Sequence, residues 1–177
     1  MNITISAQIL SVIAMAFAVL SMQCRRNRNF FICQGISGTL FTVSFILFGA
    51  WSGALMNIFS AVRPILLNNK KIATSKWTLF ALTCFLLACS LTTFLYFKDK
   101  WYLVLILTIA QFMGTYSMWT QKGSIIRYIQ LSVISPLWLT YNFLLPIPSI
   151  GGILTETLNI TSVIIALIRY RKIGFSE

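Results

Sequence analysis

The chain has 177 residues, of which 58% are hydrophobic and 10% are charged, and its mean hydropathy is +0.83. A soluble domain carries roughly 25% charged residues, so a mainly aqueous surface is excluded and an integral membrane protein is predicted. The formal net charge is +11, but the basic residues lie between apolar runs. A nucleic-acid site would gather them on one wetted face, so we expect a lipid bilayer and no nucleic-acid partner.

Residue content also limits the chemistry of the chain. There is no histidine, which removes the commonest general base and the commonest metal ligand. The four cysteines show no metal-binding spacing, and we expect small buried apolar residues rather than a disulfide framework. They are Cys24, Cys33, Cys84 and Cys89. The sequence therefore predicts no metal, no cofactor and no enzymatic activity.

Seven apolar stretches approach the length of about 20 residues that a transmembrane helix needs. The first is not expected to be a cleaved signal peptide, because its basic cluster follows the apolar run instead of preceding it. The predicted spans are Ile5 to Met22, Phe31 to Gly49, Trp51 to Leu67, Trp77 to Phe97, Trp101 to Trp119, Ile125 to Leu145, and Ile150 to Ile168.

The 14 lysines and arginines predict the orientation of these spans. With seven spans, only Lys98 and Lys100 fall on one side, beside Asp99. Because cytoplasmic loops are enriched in Lys and Arg, we expect the N-terminus outside and the C-terminus in the cytoplasm. The twelve residues on the predicted cytoplasmic side are Arg25, Arg26, Arg28, Arg63, Lys70, Lys71, Lys76, Lys122, Arg127, Arg169, Arg171 and Lys172.

An internal repeat relates the first three spans to the last three, with the fourth span left over. Such repeats are typical of transporters. The pattern predicts an all-α membrane fold of 3+1+3 parallel repeats: a first three-helix unit (1–70), a linker helix (71–100) and a second unit (101–177). The matched segments are Leu20-Ser21-Met22 with Tyr116-Ser117-Met118, Phe45 to Gly49 with Trp138 to Asn142, Ser52-Gly53 with Gly151-Gly152, Asn57 with Glu156, and Ser60 with Asn159.

The arrangement resembles the SWEET, semiSWEET and PQ-loop superfamily. Its members typically carry Pro-Gln at the end of the first helix, Trp-x-x-Tyr-Gly in the second and Asn in the third. Here Gln23 remains without the proline, and Asn57 matches the third-helix Asn. In the second unit, Trp138-Leu-Thr-Tyr141-Asn142 has Asn in place of Gly, and Glu156 replaces the third-helix Asn.

Over nearly its whole length the chain is also similar to the YgjV-type family of bacterial inner membrane proteins. The similarity lies in the length, in an early Ser-x-Gln followed by basic residues, and in Trp-Leu-x-Tyr-Asn in the second half. Both resemblances imply a multi-pass membrane protein, and the YgjV-type resemblance implies the bacterial inner membrane. The superfamily further implies transport of a small solute.

Glu156 is the only carboxylate inside an apolar segment, because Asp99 lies in a Lys-Asp-Lys loop and Glu177 is the last residue. An ionisable residue at membrane depth indicates a functional site by default. We interpret Glu156 as a substrate hydrogen-bonding group or a protonation site for coupled transport. The alternative is a neutral structural acid that is hydrogen-bonded across helices to Asn57 or Asn159.

Further candidates for the substrate site are polar or aromatic residues near Glu156 or near its repeat counterpart. They could equally be interhelical hydrogen bonds or interface anchors. Arg63 is predicted to extend to the cytoplasmic interface; the alternative is a pairing with Glu156, which would have to bridge roughly 9 Å along the helices. Gln34 and Gln130 are interpreted as structural. The candidates besides Glu156 are Asn57, Ser60, Trp138, Tyr141, Asn142 and Asn159.

The favoured hypothesis is a small-solute transporter, with a sugar-like substrate as one option. One three-helix unit would rock against the other around a site near Asn57 and Glu156. A non-transporting sensor or assembly partner on the same scaffold is the alternative, favoured by the degraded Pro-Gln motif. The sequence leaves the substrate, the coupling ion and the oligomeric state open, including a homo-oligomer.

Overall fold

The computed structural model describes residues 3–47, 49, 51–73, 75–96, 100–144, 150–171 and 173–175. Helices and short links account for these residues, and no β-strand occurs among them. The all-α prediction is therefore confirmed. Features predicted at Phe48, Phe97, Lys98, Asp99, Leu145, Lys172 and Glu177 lie outside the described residues.

Nine α-helices and one π-helical segment follow one another along the described chain. They are α1 (Ile3–Gln23), α2 (Asn27–Leu47), α3 (Trp51–Leu67), α4 (Lys70–Ala73), α5 (Lys76–Tyr96), α6 (Trp101–Trp119), α7 (Gly123–Ile129), the π-helical segment (Gln130–Ile134), α8 (Ser135–Leu144) and α9 (Ile150–Tyr170).

Five of the described helices are long and apolar enough to cross a membrane, and α3 contributes a shorter apolar helix, Gly53–Leu67. This finding agrees with the predicted integral membrane class. The five candidate spans belong to α1, α2, α5, α6 and α9. The count of seven spans, the 3+1+3 repeat and the orientation stay predictions.

Helix packing arranges most of the long helices in a ring. Around it, α1 packs on α2, α2 on α3, α3 on α6, α6 on α7 and α8, α8 on α9, and α9 on α1. Helix α5 packs on α3 and α6 and has no contact of similar extent with the others. It therefore lies outside the ring.

Small and hydroxyl-bearing residues bring the first three helices together. The hydroxyl of Ser37 donates to the Ala14 carbonyl at 2.8 Å, which ties α2 to α1. On the other side of α2, a Cβ built on Gly38 would lie 2.8 Å from the backbone nitrogen of Ala61 in α3. Such close backbone approach at small residues is how membrane helices gain packing contacts.

The sixth predicted span, Ile125 to Leu145, contains an irregularity that the sequence analysis did not anticipate. Its helix is interrupted by a π-helical turn, in which the Ser135 amide donates to the Gln130 carbonyl five residues back. Pro136 follows directly and has no N–H for a regular helical bond. A π-turn adds one residue to a helix, so it rotates every side chain that follows.

Links from both halves of the chain meet at one end of the bundle. The Asn27 side-chain amide donates to the Gln121 carbonyl, and the Gln121 side chain donates to the Leu67 carbonyl at 3.0 Å. The Tyr170 hydroxyl donates to the Gln23 carbonyl at 3.1 Å. We call this the basic end; it comprises the described residues among 24–26, 68–75, 120–122 and 171–175.

Candidate functional site

A cavity inside the ring receives residues from α1, α2, α3, α6, α8, α9 and the π-helical segment. Its volume is about 130 Å³, which is room for roughly ten water molecules at about 10–15 Å³ each. This volume suits a small solute. Six of the seven predicted site residues line it: Asn57, Ser60, Trp138, Asn142, Glu156 and Asn159.

Tyr141 is the predicted site residue that is not among those lining the cavity. Its ring meets Trp138 edge-on, with the ring centroids 5.6 Å apart and the planes at 84°. Both side chains pack against the buried core. Tyr141 therefore supports the orientation of Trp138 instead of facing the cavity itself.

Glu156 is buried, with 9% of its surface exposed, and lies in a polar cluster. The side chains of Ser135 and Asn159 are its hydrogen-bonding neighbours, and Gln130 donates to the Ser135 hydroxyl at 3.0 Å. One carboxyl oxygen, Oε2, has no partner among the described residues, and neither does Oδ1 of Asn159. Two buried acceptor atoms without donors therefore belong to neighbouring residues that line the cavity.

Asn57 lines the same cavity as Glu156 without a hydrogen bond to it among the described residues. Its amide nitrogen donates to the Gly53 carbonyl of its own helix at 2.8 Å. Of the two structural partners that the sequence offered for Glu156, the structure supports Asn159 and not Asn57. The common cavity that the functional hypothesis requires of Asn57 and Glu156 is present.

Arg63 does not extend to the membrane interface, so that prediction is wrong. Its side chain is 6% exposed and lines the cavity. Its Nη1 atom donates to the Gln111 carbonyl and side-chain oxygen, each at 3.0 Å, and to the Thr115 hydroxyl at 3.4 Å. Space for the guanidinium exists because residue 114 is glycine. A Cβ added at this position would lie 2.8 Å from Nη1.

A polar network around Arg63 connects α3 to α6. The Gln111 amide donates to the Ser60 hydroxyl at 2.6 Å while its two oxygens accept from Arg63. A charge at the centre of a membrane helix costs at least about 2.5–3.5 kcal/mol on insertion, and these acceptors offset part of that cost. The sequence contains an indication of this network, because the polar residues Asn57, Ser60 and Arg63 are spaced three apart and share one helix face.

The cavity thus brings together two residues of opposite formal charge that do not pair. No salt bridge links Arg63 to Glu156 in the part of the chain that the structure describes. Arg63 lies six positions beyond Asn57 on α3, about 9 Å further along at 1.5 Å per residue. One region of the cavity therefore presents a cationic donor, and another presents carboxyl and amide oxygens.

In each half, a side chain of the second helix packs on a glycine near the start of the third. These contacts align the two halves differently from the sequence comparison. The Phe45 ring lies 2.9 Å from a Cβ built on Gly53, and Asn142 packs in the same way on Gly152. The contacts therefore pair Phe45 with Asn142, whereas the sequence pairs Phe45 with Trp138. The two pairings differ by four positions, about one helical turn, whereas the π-helical turn adds a single residue to the second half.

Comparison with known families places the chain among membrane proteins. A family model for bacterial inner membrane proteins, Imp-YgjV, matches residues 5–173. The chain belongs to this family. The Imp-YgjV match and the apolar helices confirm the predicted location in the bacterial inner membrane. Searches of curated proteins and of solved structures found no match, so the similarity of this Imp-YgjV member to SWEET and PQ-loop proteins stays a prediction.

Proposed function

We propose that this protein transports a small solute by alternating access between two three-helix units. The observation that carries the proposal is the cavity inside the helix ring, which Asn57 of one unit and Glu156 of the other both line. A binding site near the middle of the membrane, at the interface between repeats, is typical of secondary transporters.

In the proposed architecture, helices α1–α3 form the first unit and α6–α9 form the second. Helix α5 is the linker between them, and its position outside the ring supports this assignment. A single linker span would leave the two units parallel, with the N-terminus outside. Catalysis is not part of the proposal, because the chain lacks histidine and Glu156 is the one acid among the residues lining the cavity.

The cavity offers groups suited to polar solutes. Glu156, Asn57 and Asn159 provide hydrogen-bonding side chains, and the Trp138 ring provides a flat apolar face. An aromatic face beside polar groups also fits a sugar-like solute, which is the option that the SWEET resemblance suggests.

Residues of the two units are buried between the cavity and the basic end, which supports a gating role for their contacts. Met22 of α1 and Met118 of α6 are 1% and 5% exposed and line the cavity close to the ends of their helices. Beyond them, Arg127 of the second unit donates to the Cys24 carbonyl of the first at 2.7 Å. In the proposed cycle, these contacts separate when the cavity opens to the basic end.

Uptake by proteoliposomes tests the proposal. Purified wild-type protein should take up at least one class among labelled sugars, polyols, amino acids and organic acids above the level of empty liposomes. Glu156→Gln and Asn57→Ala should each lower this uptake at least tenfold. Thr157→Val is the matched control, because Thr157 is exposed on the opposite face of α9. Wild-type uptake that both cavity variants retain would overturn the site, and no uptake of any class would overturn transport.

A sensor or assembly partner on the same scaffold is the second candidate function. It is favoured by the hydrogen bonds between the units, such as the Gln23 amide to the Ser162 carbonyl at 2.6 Å and Arg127 to Cys24. Such bonds would hold the units in one arrangement. Distances between spin labels at the basic ends of α1 and α6 distinguish the candidates, because a transporter should populate two distance distributions and a static scaffold only one.

A further inference from the structure

We infer that the solute bound in this cavity is a small carboxylic acid whose carboxylate is held by Arg63. The inference rests on the proposed transport function and names the chemistry of its substrate. It also adds to the site a residue that the sequence had placed at the membrane interface.

Arg63 is a buried cation whose hydrogen-bond partners are all neutral. They are the backbone carbonyl and side-chain oxygen of Gln111 and the hydroxyl of Thr115. The Phe59 ring lies 5.6 Å from the guanidinium carbon and contributes a neutral aromatic face. Charged residues in membranes are almost always paired or face a water-filled cavity, and here Arg63 lines the cavity. An anion entering this cavity would supply the missing counter-charge.

The geometry of the guanidinium specifies the kind of anion. All three hydrogen bonds of Arg63 are made by Nη1. Its buried Nε has no partner among the described residues, and none of the three bonds comes from Nη2. Nε and Nη2 form one edge with two parallel N–H donors, the fork that binds a carboxylate through both of its oxygens. The protein therefore uses one nitrogen to position Arg63 and leaves the carboxylate-binding edge unpaired.

Glu156 and Asn159, which also line the cavity, call for hydrogen-bond donors on the same solute. Oε2 of Glu156 and Oδ1 of Asn159 are buried acceptors that no described donor reaches. Leaving such atoms unpaired is costly in a region without bulk water. A hydroxyl or ammonium group at the far end of the solute would satisfy them. The inferred class is thus a small hydroxy or amino carboxylic acid, within the roughly 130 Å³ available.

Thermal unfolding of the full-length protein in lipid nanodiscs, followed by tryptophan fluorescence, tests the inference. Lactate and β-alanine are the acid probes, and lactamide and β-alaninamide, in which an amide replaces the carboxylate, are their matches. Glucose and sodium chloride are added separately. A ligand that binds the folded state alone raises Tm in proportion to its saturation. We expect the acids to raise the Tm of wild type, with at least tenfold tighter binding than their amides.

Variants assign the effect to the guanidinium edge. Arg63→Gln should abolish the shift caused by the acids. Arg63→Lys keeps the charge but lacks the two-pronged edge, so it should weaken acid binding at least tenfold. Arg28→Gln, at an exposed position in α2, should bind as wild type does. If Arg63→Gln does not fold, inhibition of wild-type uptake by lactate but not by lactamide provides the same test.

The possible results separate this inference from the proposed function. Stabilisation by glucose that is equal in wild type and Arg63→Gln, without any shift by acids, would overturn the carboxylate assignment and leave transport standing. Chloride shifting Tm as strongly as the acids would also overturn it, because the site would then select charge alone. If no solute class shifts Tm or enters proteoliposomes, both proposals fail.

Discussion

Arg127 donates a hydrogen bond of 2.7 Å to the carbonyl of Cys24, across 103 positions of sequence. The reverse contact exists as well, because Asn27 donates to the carbonyl of Gln121. In each half, a residue near the start of the second helix thus pairs with a carbonyl just beyond the first helix of the other half. Such terminal carbonyls have no partner within their own helix, so the two halves complete one another at the basic end.

Replacement of Arg127 by methionine should destabilise the fold. The side chain is fully buried and also donates to the Ser21 carbonyl, and its guanidinium carbon lies 4.8 Å from the centre of the Phe30 ring. Carbonyls left unpaired in a buried site cost about 1–3 kcal/mol each, so we expect a loss of about 2–4 kcal/mol in unfolding free energy. Unfolding with sodium dodecyl sulfate in mixed micelles measures it.

The matched control for this loss is Arg28→Met, which removes an exposed arginine near the same end of the bundle. It should change the unfolding free energy by less than about 0.5 kcal/mol, as is usual for surface positions. Equal losses for the two variants would show that charge at the basic end matters and that the contacts of Arg127 do not.

Gly38→Ala should force α2 and α3 apart. The new Cβ would lie 2.8 Å from the nitrogen and 2.9 Å from the Cα of Ala61, which are backbone atoms and cannot rotate away. Overpacking of this kind costs about 1–3 kcal/mol. Gly35→Ala is the control on the same helix, because its Cβ would lie 3.3 Å from a flexible Ile65 side-chain atom and 3.9 Å from the nearest backbone atom, the Ala61 oxygen. Similar unfolding curves for the two variants would contradict the proposed contact.

Gly114→Ala should act through Arg63. Its Cβ would lie 2.8 Å from Nη1, so the guanidinium must leave its bonds to Gln111. We expect a loss of about 1–3 kcal/mol for the displaced buried polar group. A double-mutant cycle with Arg63→Met provides the check, because neighbours in one network are non-additive. Additive losses would mean that Gly114 does not serve Arg63.

Cys24 should make stability depend on pH in the alkaline range. Burial raises the pKa of its thiol from 9.0 to about 11; neighbouring Cys33 adds to the rise and Arg127 opposes it. Between these values the unfolded chain has lost the proton while the folded chain retains it, so stability falls as pH rises. Cys24→Ala should flatten this part of the Tm–pH curve, whereas Cys84→Ala, at an exposed position in α5, should not. Identical curves for wild type and Cys24→Ala would refute the assignment.

Much of the candidate site could be predicted from the sequence. A lone acid in an apolar run is informative by itself, because charge is expensive in a membrane and is retained for a reason. The match of Asn57 to Glu156 correctly indicated two residues on one cavity. Tyr141 could not be placed in the same way. It is three positions from Trp138 on a helix, so spacing alone puts both rings near one face, and only the tertiary structure shows that Trp138 is the one that lines the cavity.

By itself, the sequence determined the class and location of this protein: a helical, multi-pass protein of the bacterial inner membrane. Hydrocarbon tolerates few charges and no unpaired backbone, so composition and the length of apolar runs suffice for the helical, multi-pass membrane class. The bacterial inner membrane follows from the resemblance to the YgjV-type family, whose model matches residues 5–173. Tertiary structure alone decided the position of Arg63. An arginine near a helix end can extend to the interface or turn inward. Gln111 and Gly114, about 50 residues later on α6, supply the acceptors and the space that turn it into the cavity.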